Sequence, residues 1–127
     1  MTILNEGRRA GMFLYSEANK TRSRSLVTIA HGQKLVPGAV LAYNSVEKTY
    51  HGYDNASSAG RGVAAAILFD FVDATAGAVK AVAIVRDAEV NGEELVFADT
   101  EATADILAAE TDLKAVGIIC RWASRIT

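Results

Sequence analysis

Two histidines, one cysteine and fifteen carboxylates are spread over the 127 residues of this chain, so any catalytic chemistry must be assembled from few groups. His31 and His51 each precede a glycine, in segments that read as loop or strand edge. A histidine-assisted nucleophile needs a serine or cysteine held within hydrogen-bond reach of the imidazole, and neither histidine lies in a motif with that geometry. Both are expected at the surface. Asp70, Asp73 and Asp87 stand near the ends of apolar runs, where carboxylates can hold a cation or act as an acid and base pair. Their spacing matches no metal-binding loop, and the expectation is that they face solvent or cap turns beside Thr75 and Arg86. Gly60-Arg61-Gly62 offers amides and a guanidinium to a phosphate but lacks the glycine spacing and the lysine of a P-loop. Thr21-Arg22-Ser23-Arg24-Ser25 mixes hydroxyls and cations without interleaved aromatics, a weak pattern for nucleic-acid recognition. No catalytic set, cofactor site or metal site is expected.

The scaffold behind these residues is legible from composition. A chain of this length suits one domain able to bury its own core without a metal or disulfide. Half of the residues are apolar, but only nine are aromatic, which favours thin, closely packed layers over a deep aromatic pocket. The single cysteine, Cys120, follows Ile118-Ile119 and reads as a buried thiol. It has no cysteine with which to pair within the chain, which fits a reducing compartment. The opening residues lack the apolar core of a secretory signal, and no stretch approaches the ~18–20 apolar residues of a membrane span. These features predict a soluble protein made and used in a cytoplasm, with no membrane partner.

Periodicity then places the elements. Residues 1–11 carry no apolar repeat, and the spacing predicts an arm that is mobile when free. A short apolar run, Met12-Phe13-Leu14-Tyr15, is followed by a polar stretch, 16–25, that reads as loop. Strands are expected over 25–30, 39–43, 49–53, 64–72 and 79–85. Pro37-Gly38 supplies the central pair of a type II turn; residues 54–62 read as loop and 74–77 as a turn. From Thr100 the period changes: Ala102, Ile106, Ala109 and Leu113 fall on one helical face, although Thr100 lacks the partner glutamate of a capping box. Gly117 ends the helix, 118–122 form a last strand, and a short helix is expected near 91–95.

Charge is unevenly distributed. The formal net charge is −2, yet residues 1–24 carry Arg8, Arg9, Lys20, Arg22 and Arg24 against Glu6 and Glu17, whereas residues 86–114 carry nine acids against Arg86 and Lys114. A basic leading arm on an acidic body can engage an acidic protein surface or a nucleic acid, or simply be solvated.

Several phrases in fixed order resemble those of lambda-like phage head decoration proteins. Phe13-Leu14-Tyr15-Ser16-Glu17-Ala18-Asn19 with Thr21-Arg22-Ser23-Arg24 is similar to the family's FL-x-SEANG opening. Leu35 to Leu41, Tyr53-Asp54-Asn55-Ala56, Ala65 to Leu68 with Val72-Asp73-Ala74-Thr75, Val82 to Asn91, and Leu113 to Arg121 resemble later phrases. Together they span about residues 7–121. The chain departs from the pattern at Lys20 and Ala66, where the family has glycine, at Cys120, and in the extension 122–127.

The resemblance implies a mainly β fold of the β-clip type with a small α/β subdomain, comprising a flexible arm at 1–15 and a single decoration domain at 16–127. It implies a homotrimer that binds the major capsid protein on the outer surface of the expanded head and reinforces it against internal DNA pressure. The protein would be present in the host cytoplasm during assembly, and would not bind nucleic acid directly. Arg8, Arg9, Met12, Phe13, Leu14 and Tyr15 are the expected capsid-binding arm residues. A small enzyme or ligand-binding module on a similar β-clip scaffold is the alternative; a nucleic-acid module would require the basic arm to dominate.

Overall fold

The computed structural model describes residues 8–53, 62–97 and 103–122, with the side chains of residues 103 and 104 left aside. The fold is mainly β. Strands β2 (Arg24–Ile29), β5 (Thr49–Gly52), β4 (Val40–Asn44), β6 (Ala64–Leu68) and β8 (Val79–Ile84) close into a five-stranded barrel in that order. A second layer is a three-stranded sheet of β1 (Leu14–Glu17), β9 (Ala88–Asn91) and β10 (Ile118–Arg121), backed by helix α1 (Thr103–Ala115). Two short strands, β3 (Lys34–Leu35) and β7 (Val72–Asp73), pair beside the barrel.

Two apolar clusters hold these layers together. Val27, Ile29, Leu41, Ala66, Leu68 and Ala83 fill the barrel, and their alternation along β2, β4, β6 and β8 is the period-two pattern of inward positions. Phe13, Val40, Ile67, Ile84, Val90, Leu113 and Ile118 lie between the barrel and the second layer. Strands β4 and β6 contribute to both clusters, so their sequences read as continuous apolar runs. Between them the register slips by one residue, at Ala65, a bulge that bends the strand locally.

The Pro37-Gly38 turn forms as expected: Gly38 has φ 91°, and Ala39 N–H donates to Val36 O at 3.1 Å. Gly117 (φ 86°) follows the helix, and its N–H donates to Lys114 O, the left-handed stop that glycine supplies without a Cβ penalty. The segment expected to form a short helix contains a 3-10 turn, Gly92–Glu94, capped by Asn91. Cys120 is buried.

Three expectations are corrected. The stretch 16–25 is not all loop, because β1 pairs with β9 through Ser16 and Glu17, and β2 already begins at Arg24. The run 64–72 is two strands rather than one: Asp70 and Phe71 are exposed at a corner, and the chain then pairs with β3 instead of β4. His51 is buried, because it stands opposite Ala42 in the β4–β5 ladder and strand alternation turns it inward. Thr100, Ala102 and the loop residues 54–61 lie outside the described residues.

Candidate functional site

The site that the sequence singles out is the N-terminal segment, and from Arg8 to Tyr15 its residues play different parts. Arg8 is drawn onto the body. Its Nε donates to Pro37 O at 2.9 Å, its second nitrogen to Glu94 O, and the guanidinium lies 3.6 Å from the Glu94 carboxylate. The Pro37-Gly38 turn and the 3-10 turn thus present two carbonyls to one planar fork, a geometry that arginine meets and lysine does not. Arg9 is exposed, and its N–H donates to Met12 Sδ at 3.3 Å. Gly11 (φ 67°) sits against the Phe69 ring, where a Cβ would approach to 2.7 Å, and its N–H donates to Phe69 O.

Phe13 is fully buried in the cluster between the layers, and its carbonyl accepts from Asn91 N–H at 2.7 Å. Leu14 pairs with Val90 and packs against the same cluster. The register then slips between Leu14 and Ser16, so Tyr15 sits on a bulge with 59% of its surface exposed. Of the six expected arm residues, the structure therefore leaves Arg9 and Tyr15 facing solvent, places Phe13 in the core, and holds Arg8 in contact with the body.

Around Tyr15 the surface is organised by charge. Ser16 Oγ donates to Glu89 Oε2 at 2.9 Å, and Arg121 donates twice to Glu89 Oε1, at 3.0 and 2.6 Å. These hydrogen bonds hold the Glu89 carboxyl below its ordinary range. Glu17 and Arg24 form a two-pronged pair at 2.8 and 2.7 Å, which lowers the Glu17 pKa and raises that of Arg24. The Arg24 guanidinium lies 4.1 Å from the centre of the Phe69 ring, so Phe69 links the arm root at Gly11 to the barrel through a cation–π contact.

The remaining candidates serve local structure. Asp73 accepts from both N–H and hydroxyl of Thr75, which lowers its pKa; Asp70 accepts from Phe71 N–H; Asp87 lies 3.6 Å from Arg22. His31 is exposed with Nε2 3.2 Å from Thr75 O, and His51 Nε2 lies 3.2 Å from the Thr49 hydroxyl and 3.6 Å from Glu47. In the 21–25 run, Ser23 is buried and Arg24 is paired. Two open hollows, of about 270 and 380 Å³, are lined by Glu110, Lys114 and Ile119 to Arg121 in one case and by Lys34 to Val36 and Phe71 to Asp73 in the other; neither contains a histidine. Among the described residues no three metal-binding side chains cluster, and no helix is long and apolar enough to cross a membrane.

Sequence reasoning missed two residues that shape this site. Trp122 packs over Gly92, where a Cβ would lie 2.3 Å from the indole, and Phe69 joins Gly11 to Arg24. The missing side chain at Gly92 was the available signal for the first; the second depends on the corner after β6, which no local pattern marks.

No curated protein matches the chain. The family model described as bacteriophage lambda head decoration protein D matches residues 3–118. With that match covering nearly the whole chain, and with a mainly β fold, this protein belongs to the bacteriophage lambda head decoration protein D family and is a structural phage protein of the capsid.

Proposed function

We propose that the chain acts as a homotrimer on the outer surface of the expanded phage head, where each subunit grips the major capsid protein through its N-terminal arm and the trimer stiffens the shell against packaged DNA. The observation that carries this reading is the family match over residues 3–118. It is supported by the division of labour within residues 8–15: Phe13 and Arg8 root the arm in the body of residues 16–127, while Arg9 and Tyr15 are its exposed members.

An extended arm can satisfy its backbone amides by adding a strand to a sheet edge of the capsid protein, with side chains fixing register. Three arms on one trimer make the second and third attachments intramolecular, which raises avidity by roughly 10² to 10⁴ without a deep pocket. A trimer that binds only the expanded shell stabilises that state by linkage. The role requires neither catalysis nor direct contact with nucleic acid. The protein is made in the host cytoplasm and acts on the outside of the virion.

Expanded shells of the cognate phage, heated or treated with chelator, should survive longer when saturated with the protein than when bare. Equal survival with and without it would contradict reinforcement.

A further inference from the structure

Asn91-Gly92 is the one Asn-Gly pair in the chain. This pair is chemically vulnerable, because glycine leaves its own backbone nitrogen unshielded and that nitrogen can attack the preceding asparagine side chain. The fold sets it at a junction. Asn91 ends β9 and caps the 3-10 turn; its N–H holds Phe13 O, and its Oδ1 accepts from Glu93 N–H at 3.1 Å. Gly92 is buried beneath Trp122, with room for no side chain at all. Glu94, at the end of the same turn, supplies the carbonyl and carboxylate that hold Arg8.

We propose that Asn91 is a latent deamidation site which the fold keeps shut, with Trp122 as its cover. In the reaction, the Gly92 nitrogen bonds to Asn91 Cγ and the Cγ–Nδ2 bond breaks. The amide nitrogen leaves as ammonia, carrying the proton from Gly92, and water then opens the succinimide to aspartate or isoaspartate. Ring closure needs the Gly92 nitrogen swung round to lie beside Asn91 Cβ. At ψ 107° it points to the opposite side of Cα, and the capping bond to Glu93 N–H fixes the carboxamide away from it. Both restraints must be released together, and rotation about the Asn91–Gly92 junction drives Gly92 into the indole. The reaction therefore proceeds only from a locally opened state.

The position of the site gives the modification a structural consequence. Isoaspartate inserts an extra carbon into the backbone between β9 and the 3-10 turn. That shift displaces Glu94 from Arg8 and Gly92 from Trp122, so one covalent event loosens both the arm root and the C-terminal segment. The sterically required glycine creates the liability, and the cap and the indole suppress it.

The test is peptide mapping by mass spectrometry, with isoaspartate resolved chromatographically, after incubation of the full chain at mildly alkaline pH. The native chain should convert at Asn91 at least about tenfold more slowly than the same chain unfolded in urea. Trp122→Ala should recover most of that factor while circular dichroism still reports a folded protein, and Trp122→Phe should remain slow. Glu93→Pro, which deletes the capping donor and leaves the indole, gives a second route: it should also accelerate conversion. Equal rates in the native and unfolded chain would overturn the proposal, as would folded Trp122→Ala and Glu93→Pro variants no faster than wild type.

Discussion

The Ser23 hydroxyl joins two segments that are far apart in sequence: fully buried, it donates to Asp87 O at 2.7 Å and accepts from Ala18 N–H at 2.9 Å. Ser23→Ala leaves a carbonyl and an amide unmade and should cost about 1–3 kcal/mol, read as a lower urea midpoint with an unchanged slope. Phe13 and Tyr15 are two positions apart and separate just as sharply. Phe13→Ala removes a fully buried ring and should cost about 3–5 kcal/mol. Tyr15→Ala, at 59% exposure, should stay within about 0.5 kcal/mol. Urea unfolding of the two variants checks both, and similar losses would contradict the placement of the arm root. The Glu17–Arg24 pair gives a pH signature. Because the folded pKa of Glu17 is lowered from 4.5, its contribution is present above that value and lost as pH falls through the folded pKa. Thermal melts of Glu17→Gln should therefore show a smaller decline than wild type over the acidic range below pH 4.5. Partial solvent access to the pair keeps the difference small.

At the scale of elements, the helix and its stop were legible because each depends on local chemistry. Ala109 and Leu113 are buried on one face of α1, and Gly117 adopts the left-handed conformation. A Cβ at Gly117 would also come within 2.9 Å of Asp87 Oδ1. Gly117→Ala should consequently cost at least about 1 kcal/mol, measured by thermal or urea unfolding; a neutral result would show that the turn relaxes. The type II turn at Pro37-Gly38 was legible for the same reason. The elements that sequence reasoning missed are set by distant partners. β1 mixes exposed and half-buried residues over four positions, so it has no period of its own and exists because β9 lies beside it. The split between β6 and β7 falls inside an apolar run because Phe71 is exposed, and only the pairing of Val72 with Leu35 reveals it. His51 looked like a surface residue beside a glycine, yet its direction follows from its register opposite Ala42. The same limit applies to the candidate site: the apolar run at 12–15 was visible, but nothing local separates a core anchor such as Phe13 from an exposed neighbour such as Tyr15.

On the scale of the whole molecule, the barrel and the second layer form a support to which residues 8–15 are fixed. Arg8, Gly11 and Phe13 tie that segment to the Pro37-Gly38 turn, to Phe69 and to Asn91 respectively. Rooting at Arg8 rather than at Tyr15 keeps seven residues on the body and shortens the reach of any free arm by up to about 25 Å. Co-sedimentation with expanded and unexpanded capsids of the cognate phage tests the proposed arm contact most directly, using the full chain and a truncated variant that lacks residues 1–7 and carries Arg9→Ala and Tyr15→Ala, which spares Arg8 and Phe13. Saturable binding of the full chain to expanded shells alone, weakened at least about tenfold in the truncated variant as avidity is lost, is the predicted result. Undiminished binding of the truncated chain would move the contact from the arm to the body, and absence of binding to either shell would contradict decoration itself.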